Sequence, residues 1–216
     1  MENWSKDYDA KVKYPAIILG VLLVMFAALG IFYFSRTQPI TNYPSSGTNI
    51  IAFGDSLMAG NGATSGNDFV SLLSKQIGRE IINLGVPGNT TADGLARIDE
   101  LDRYRPKVVL LLLGGNDHLK KVPIGTTFEN LGKIIESIHS RGAIVVLLGV
   151  KGSLFGDKFE PEFEKLRKKY KTAYVSDVLD GLFGNAKFME DSIHPNDAGN
   201  RIIAERIYPV LVPLLK

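Results

Sequence analysis

Cysteine is absent from the 216-residue chain, which excludes disulfides, thiolate nucleophiles and cysteine-based zinc sites. Histidine is scarce, with only His118, His139 and His194 present, so a multi-histidine metal centre is not expected. Runs of one charge sign are also missing, because 25 basic and 23 acidic residues are interspersed and give a formal net charge of +2. Proteins that bind nucleic acid carry a concentrated basic surface. We therefore expect no nucleic-acid partner, no metal and no organic cofactor.

One long apolar run lies near the N-terminus. Residues 15–34 contain no charged side chain and would extend roughly 30 Å as a helix, the thickness of bilayer hydrocarbon. The run ends without a small-residue cleavage site, which favours an uncleaved signal anchor over a signal peptide. Three lysines precede it and only Arg36 closely follows it, so the positive-inside rule assigns residues 1–14 to the cytoplasm. The pattern predicts a single-pass membrane protein with an extracytoplasmic catalytic domain.

The rest of the chain is predicted to form a short tether and one α/β domain. Residues 35–48 are mostly polar and carry two prolines, which is typical of a linker, and the domain is predicted over 49–216. Beyond the linker, short apolar runs alternate with longer amphipathic stretches, as in a parallel sheet covered by helices on both faces. Strands are predicted at 49–53, 80–84, 107–113 and 143–150, with a weak fifth at 172–175. Helices are predicted at 68–78, 91–103, 127–141 and 160–171, with a last helix starting near Asn196 or Asp197.

Polar residues and glycines follow three of the predicted strands. Ser56 follows the first strand, Gly88 the second and Asn116 the third. In an open α/β sheet, ligands bind beyond the carboxyl ends of the strands. We therefore expect these residues to meet at one edge of the sheet. A glycine-rich loop follows Ser56 and lacks the Gly-Lys-Ser/Thr ending of a phosphate loop, so it is predicted to lie beside the substrate.

Five residues suit serine-based acyl transfer. A serine hydroxyl needs a base to remove its proton, and His194 can serve Ser56 while Asp191, three residues earlier, orients the imidazole. The backbone amides of Ser56 and Gly88 and the side-chain amide of Asn116 can meet the oxyanion. Gly88 is favoured because it precedes the helix predicted at 91, where free amides favour negative charge. Ser56 as a turn residue and Asn116 as a helix cap remain the alternatives.

Four sequence blocks resemble those of the SGNH or GDSL hydrolases, in particular the acyl-CoA thioesterase I, lysophospholipase and arylesterase branch. The blocks are Gly-Asp-Ser-Leu at 54, Gly-Asn-Thr at 88, Gly-Gly-Asn-Asp at 114 and Asp-Ser-Ile-His-Pro-Asn at 191. The resemblance implies a flavodoxin-like three-layer sandwich with about five parallel strands. It also implies a catalytic triad of Ser56, Asp191 and His194, with Ser56, Gly88 and Asn116 as oxyanion donors. An ordinary α/β-hydrolase is disfavoured because Met58 stands where a GxSxG elbow requires Gly.

Two functions are compatible with these patterns. The first is a serine esterase that hydrolyses carboxylic esters or thioesters through an acyl-enzyme, with a small-molecule or lipid ester as substrate. An extracytoplasmic domain would favour lipid, lysophospholipid or cell-envelope esters over acyl-CoA. The alternative is a membrane-tethered, non-catalytic module that binds glycans or lipids on the same fold. The complete set of catalytic side chains favours the esterase.

Overall fold

Five parallel strands form one sheet in the computed structural model, which describes residues 17–26, 39–150 and 158–216. The strands are β1 (Asn49–Gly54), β2 (Ile81–Gly85), β3 (Pro106–Leu112), β4 (Ile144–Leu148) and β5 (Ala173–Val175). Their spatial order is β2-β1-β3-β4-β5, the order of flavodoxin-like folds. The central strands β1, β3 and β4 are buried almost throughout, which explains their nearly continuous apolar sequences. The predicted α/β class and five-stranded parallel sheet are confirmed.

Helix α1 comprises residues 17–26. The helices that cover the sheet form two groups. They are α2 (Ser56–Ala59), α3 (Phe69–Ile77), α4 (Thr91–Ala96), α5 (Gly115–Leu119), α6 (Ile124–Ser140), α7 (Phe159–Tyr170) and α8 (Asp197–Leu211), with 3₁₀ turns at Ile98–Arg103 and Val212–Leu215. Helix α3 packs against α8, whereas α6 packs against both α4 and α7. Parallel crossovers are right-handed, and the chain reverses its direction across the sheet after β2. The two groups therefore lie on opposite faces.

Three helical features differ from the predicted pattern. The helix predicted at 91–103 is divided, because α4 ends at Ala96 and a 3₁₀ turn follows Arg97. Helices α2 and α5 were not predicted, since one helical turn is too short to show a 3.6-residue period. The last helix begins as expected: Asn196 caps α8 by accepting hydrogen bonds from the amides of Ala198 and Gly199.

The described part of α1 is too short to cross a membrane. Residues 17–26 extend about 15 Å at the α-helical rise, against roughly 30 Å of bilayer hydrocarbon. Within the described residues no helix is both long and apolar enough to span a bilayer. The predicted transmembrane anchor over 15–34 is therefore corrected, and with it the single-pass membrane localisation and the membrane partner. The remainder of that anchor, the segment 1–14 and residues 35–38 of the linker lie outside the described residues.

The chain divides into two units, Met1–Pro39 and Ile40–Lys216. Residues 40–48, which form part of the predicted linker, bind to the body of the second unit. The Thr41 amide donates a hydrogen bond to the Lys171 carbonyl at 3.0 Å, and the Ser45 hydroxyl donates to the Gly142 carbonyl at 2.7 Å. This part of the predicted linker is thus fixed by hydrogen bonds at the start of the second unit.

Candidate active site

Ser56 is held at the carboxyl end of β1 by the short helix α2. Strand β1 ends at Gly54, and Asp55 caps α2 by accepting a hydrogen bond from the Leu57 amide at 3.0 Å. Ser56 is the first residue of that helix. The cap satisfies a backbone amide that would otherwise lack a partner at the helix start. The serine is thereby placed at the sheet edge where the sequence predicted it.

His194 and Asp191 complete a chain of hydrogen bonds to Ser56. The His194 Nε2 atom lies 3.0 Å from Ser56 Oγ, and its Nδ1 atom lies 2.8 Å from Asp191 Oδ2. The other carboxylate oxygen, Oδ1, accepts the amides of Ile193 and His194, both at 2.7 Å. The His194 side chain and these amides lower the pKa of Asp191 to about 2. An ionised Asp191 favours the tautomer with the proton on Nδ1, which leaves Nε2 free to accept the serine proton.

The glycine-rich loop after α2 packs against His194 and Pro195. Gly62 has a φ of +88°, and a Cβ at this position would lie 2.7 Å from the Pro195 carbonyl oxygen and 2.9 Å from His194 Cβ. Only glycine combines this backbone conformation with so close an approach. Asp197 ties the same loop to the start of α8, because it accepts the Thr64 amide and hydroxyl, each at 2.7 Å. The loop and the histidine turn are thus packed together.

The Asn116 side chain contacts the turn that contains Gly88, beside the serine helix. Gly88, with a φ of +79°, lies in a turn that is closed by a hydrogen bond from the Asn89 amide to the Val86 carbonyl at 3.2 Å. The Asn116 Nδ2 atom donates to the Asn89 carbonyl at 3.0 Å and lies 3.5 Å from Asp55 Oδ2. The loops that follow β1, β2 and β3 therefore converge, as their place after the strands predicted.

Two buried carboxyl groups beside the site are not predicted by the sequence patterns. Asp55 is 2% exposed, and burial raises its pKa to about 7, against the opposing hydrogen bond from the Leu57 amide. Asp117 is fully buried and accepts hydrogen bonds from the Thr91 amide at 2.8 Å and the Thr127 hydroxyl at 3.3 Å, joining α5 to α4 and α6. The available signal was their position, since each is directly adjacent in sequence to a predicted site residue.

The assembled side chains suit covalent chemistry at a serine. Ser56, His194 and Asp191 lie in one hydrogen-bond network, which is the arrangement that a serine needs for activation by a base. No group of three or more histidine, aspartate or glutamate side chains that could hold a metal occurs in residues 17–26, 39–150 and 158–216.

Several known proteins are similar to this chain in sequence and in fold. The model of the GDSL-like Lipase/Acylhydrolase family matches residues 52–202. Esterase TesA of Pseudomonas aeruginosa is 32% identical over 178 residues, covering 77% of this chain and 89% of that protein. An arylesterase of Vibrio mimicus is 31% identical over 175 residues, covering 76% and 88% respectively. A crystal structure of TesA matches with a TM-score of 0.73 and 30% identity, covering 78% of this chain and 100% of that one. The region matched by the family includes Ser56, Gly88, Asn116, Asp191 and His194.

Proposed function

We propose, since the chain belongs to the GDSL-like lipase/acylhydrolase family and is an SGNH-type ester hydrolase, that it cleaves carboxylic esters or thioesters through an acyl-enzyme at Ser56. One observation carries this proposal: Ser56 Oγ, both ring nitrogens of His194 and Asp191 Oδ2 form a continuous relay with separations of 3.0 and 2.8 Å. These separations match those required for proton transfer from a serine nucleophile.

In the first step Ser56 attacks the substrate carbonyl carbon. As the Oγ–carbon bond forms, His194 Nε2 takes the hydroxyl proton and the imidazole becomes positively charged. Asp191 stabilises that charge through Nδ1–H, and its low pKa keeps it ionised over the pH range in which esterases operate. The carbonyl π electrons move onto oxygen and leave a tetrahedral oxyanion.

The oxyanion is proposed to bind the amides of Ser56 and Gly88 and one N–H of Asn116. The first N–H of Asn116 Nδ2 is already committed to the Asn89 carbonyl at 3.0 Å. The second faces Asp55 Oδ2 across a long 3.5 Å contact, which a substrate oxygen can replace with a shorter bond. Such donors are commonly worth about 10²–10³ in kcat each.

Collapse of the intermediate completes acylation and leads to hydrolysis. The carbon–oxygen or carbon–sulfur bond to the leaving group breaks, and the leaving group receives the proton from His194 Nε2. Water then attacks the acyl-Ser56 ester while His194 removes a water proton, and the same donors bind the second oxyanion. Breakdown releases the carboxylic acid and returns the proton to Ser56.

The exposed apolar residues near the oxyanion donors support substrates with an apolar acyl or aryl group. Val86 is 39% exposed and lies two residues before Gly88, and Leu119 is 46% exposed and lies one turn after Asn116 in α5. Apolar surface of this kind gains free energy when a hydrocarbon group covers it. The names of the two relatives, esterase and arylesterase, agree with this class. A series of p-nitrophenyl esters with increasing acyl length tests it, with a rise in kcat/KM expected from acetate to butyrate.

The alternative of a non-catalytic binding module is not favoured. A module that only binds glycans or lipids has no need for the proton relay from Asp191 through His194 to Ser56. Such a module would also leave a fluorophosphonate probe unreacted, because the probe labels serines that are activated by a base.

Replacement of Ser56 by alanine tests the proposal. Ser56→Ala should abolish both p-nitrophenyl butyrate hydrolysis and fluorophosphonate labelling while leaving the circular dichroism spectrum unchanged. Ser74→Ala is the matched control, because the Ser74 hydroxyl donates only to the Arg79 carbonyl at the end of α3, and it should retain both activities. Hydrolysis that persists in Ser56→Ala rejects the proposed nucleophile.

A further inference from the structure

Arg97 is a largely buried cation beside the loops that carry Ser56, Gly88 and Asn116. It directly follows the last residue of α4 and precedes the 3₁₀ turn Ile98–Arg103. Its side chain is only 14% exposed, and its guanidinium carbon lies 4.0 Å from the centre of the Phe53 ring. It also pairs with Glu100 at 3.3 Å. A guanidinium withdrawn from water in this way requires hydrogen-bond partners for its donors.

One of these partners is the end of the strand that carries the nucleophile. Arg97 Nη2 donates to the Gly54 carbonyl at 2.9 Å. The same carbonyl accepts the Val86 amide at 3.0 Å. Gly54 is the last residue of β1 and lies two positions before Ser56. The hydrogen bond therefore holds the backbone from which the Ser56 amide extends.

The other partner is the turn that carries Gly88. Arg97 Nε donates to Asn89 Oδ1 at 2.6 Å. Asn89 directly follows Gly88, and its own carbonyl accepts Asn116 Nδ2 at 3.0 Å. By holding Asn89, the guanidinium acts on the Gly88 turn and on the side chain of Asn116 together.

We propose that Arg97 is the positioning residue that sets the mutual geometry of the oxyanion donors on Ser56, Gly88 and Asn116. It touches none of the reacting atoms and acts through Gly54 and Asn89. The inference rests on the proposed function, since it concerns the same acyl-transfer site. A planar guanidinium holds two acceptors in a fixed fork, whereas the ammonium of lysine is a point charge on a flexible stem. A displacement of about 1 Å at a catalytic group can cost about 10²-fold in rate.

Arg141 provides a matched control at a distance in sequence and in a different network. Its side chain is 16% exposed and pairs with Asp99 at 3.0 Å and Asp102 at 2.7 Å. It follows the end of α6 and also donates to Ser137. Arg97 and Arg141 are thus similarly buried and similarly bonded. Only the hydrogen bonds of Arg97 lead to the proposed oxyanion donors.

The experiment compares Arg97→Lys with Arg141→Lys in the full chain. For p-nitrophenyl butyrate, Arg97→Lys should lower kcat by about 10- to 100-fold and leave KM within about threefold, because the donors act mainly on the transition state. Arg141→Lys should leave kcat within about twofold. It should lower Tm by about as much as Arg97→Lys does. A wild-type kcat in Arg97→Lys, or an equal loss of kcat in Arg141→Lys, would overturn the inference.

A second variant covers the case in which Arg97→Lys does not fold. Asn89→Ala removes the side-chain carboxamide whose Oδ1 accepts from Arg97, and it leaves the hydrogen bond from Arg97 to Gly54 in place. It should lower kcat with little change in KM. Where Arg97→Lys folds, the two effects should not add fully, because the bond that Asn89→Ala removes is one of the two that Arg97→Lys disturbs. Unchanged kcat in Asn89→Ala, or full additivity, overturns the inference. Failure of the proposed function looks different, since the wild-type protein would then show no Ser56-dependent hydrolysis.

Discussion

Replacing Asp55 by asparagine removes a buried titratable group and leaves its capping role in place. Asp55 is 2% exposed and caps α2 through a hydrogen bond from the Leu57 amide at 3.0 Å. Asparagine is about as good an N-cap as aspartate, and its carbonyl oxygen can accept the same amide. The substitution therefore isolates the effect of the carboxylate charge on the free energy of unfolding.

The sign and size of the effect follow from the pKa of Asp55. Burial raises this pKa from 3.8 to about 7, so between these values the native state binds more protons than the unfolded state. The stability from Asp55 is therefore fully present below about pH 4 and is lost as the pH rises through about 7. A shift of this size corresponds to about 4 kcal/mol, or about 1.4 kcal/mol per pH unit across the window. Asparagine does not titrate, so Asp55→Asn should gain about this much relative to wild type between pH 4 and pH 8.

Urea unfolding followed by circular dichroism at several pH values within this window measures the difference. Asp191 has a native pKa of about 2 and is present in both proteins, so its contribution cancels in the comparison. The new N–H of asparagine faces Asn116 Nδ2, where the carboxylate oxygen lay 3.5 Å away, and this adds an offset that is nearly constant with pH. A difference between the two proteins that stays flat with pH, or that falls as the pH rises, refutes the reasoning.

Three further substitutions, one of them a matched control, test how the histidine side of the site is held. Gly62→Ala should lower kcat by more than about tenfold, because its Cβ would meet Pro195 and His194. Gly66→Ala introduces the same left-handed strain, since Gly66 has a φ of +78°, but its Cβ would meet only the flexible Lys75 side chain, at 3.4 Å. It should lower the free energy of unfolding by about 1 kcal/mol while retaining kcat. Equal losses of kcat in Gly62→Ala and Gly66→Ala would contradict this. Asn200→Ala should cost about 2–3 kcal/mol in urea unfolding, since Asn200 is 2% exposed and joins the Phe69 amide to the Pro195 carbonyl; a loss below about 1 kcal/mol would count against that role.

The sheet and the meeting of the predicted site residues followed from simple features of the sequence. Strands β1, β3 and β4 are buried on both faces, so their apolar runs are nearly continuous and easy to recognise. The carboxyl ends of parallel strands share one edge of the sheet, so Ser56, Gly88 and Asn116 could be expected to converge. His194 and Asp191 could be paired because a single turn brings together residues three apart.

The parts that could not be predicted depend on local breaks and on burial. Arg97 lies in a stretch that reads as one amphipathic helix, and only the end of α4 at Ala96 directs its guanidinium towards Gly54 and Asn89. The burial of Asp55 depends on the packing around α2, which is too short to leave a periodic signal. The membrane prediction was wrong because hydropathy records composition alone, whereas the described residues contain no helix that is long and apolar enough to span a bilayer.

Two sets of contacts hold the proposed site. On one side, Arg97 and Asn89 connect the end of β1 to the Gly88 turn and Asn116. On the other, Gly62 packs against the backbone of the histidine turn. In the proposed mechanism, the first side sets the position of the oxyanion and the second sets the position of the base. Because Ser56 contributes an amide to the first side and a hydroxyl to the second, the short helix α2 must satisfy both at once. The buried cap at Asp55 fixes the start of that helix, and its ionisable carboxyl group costs stability as the pH rises from about 4 to about 7.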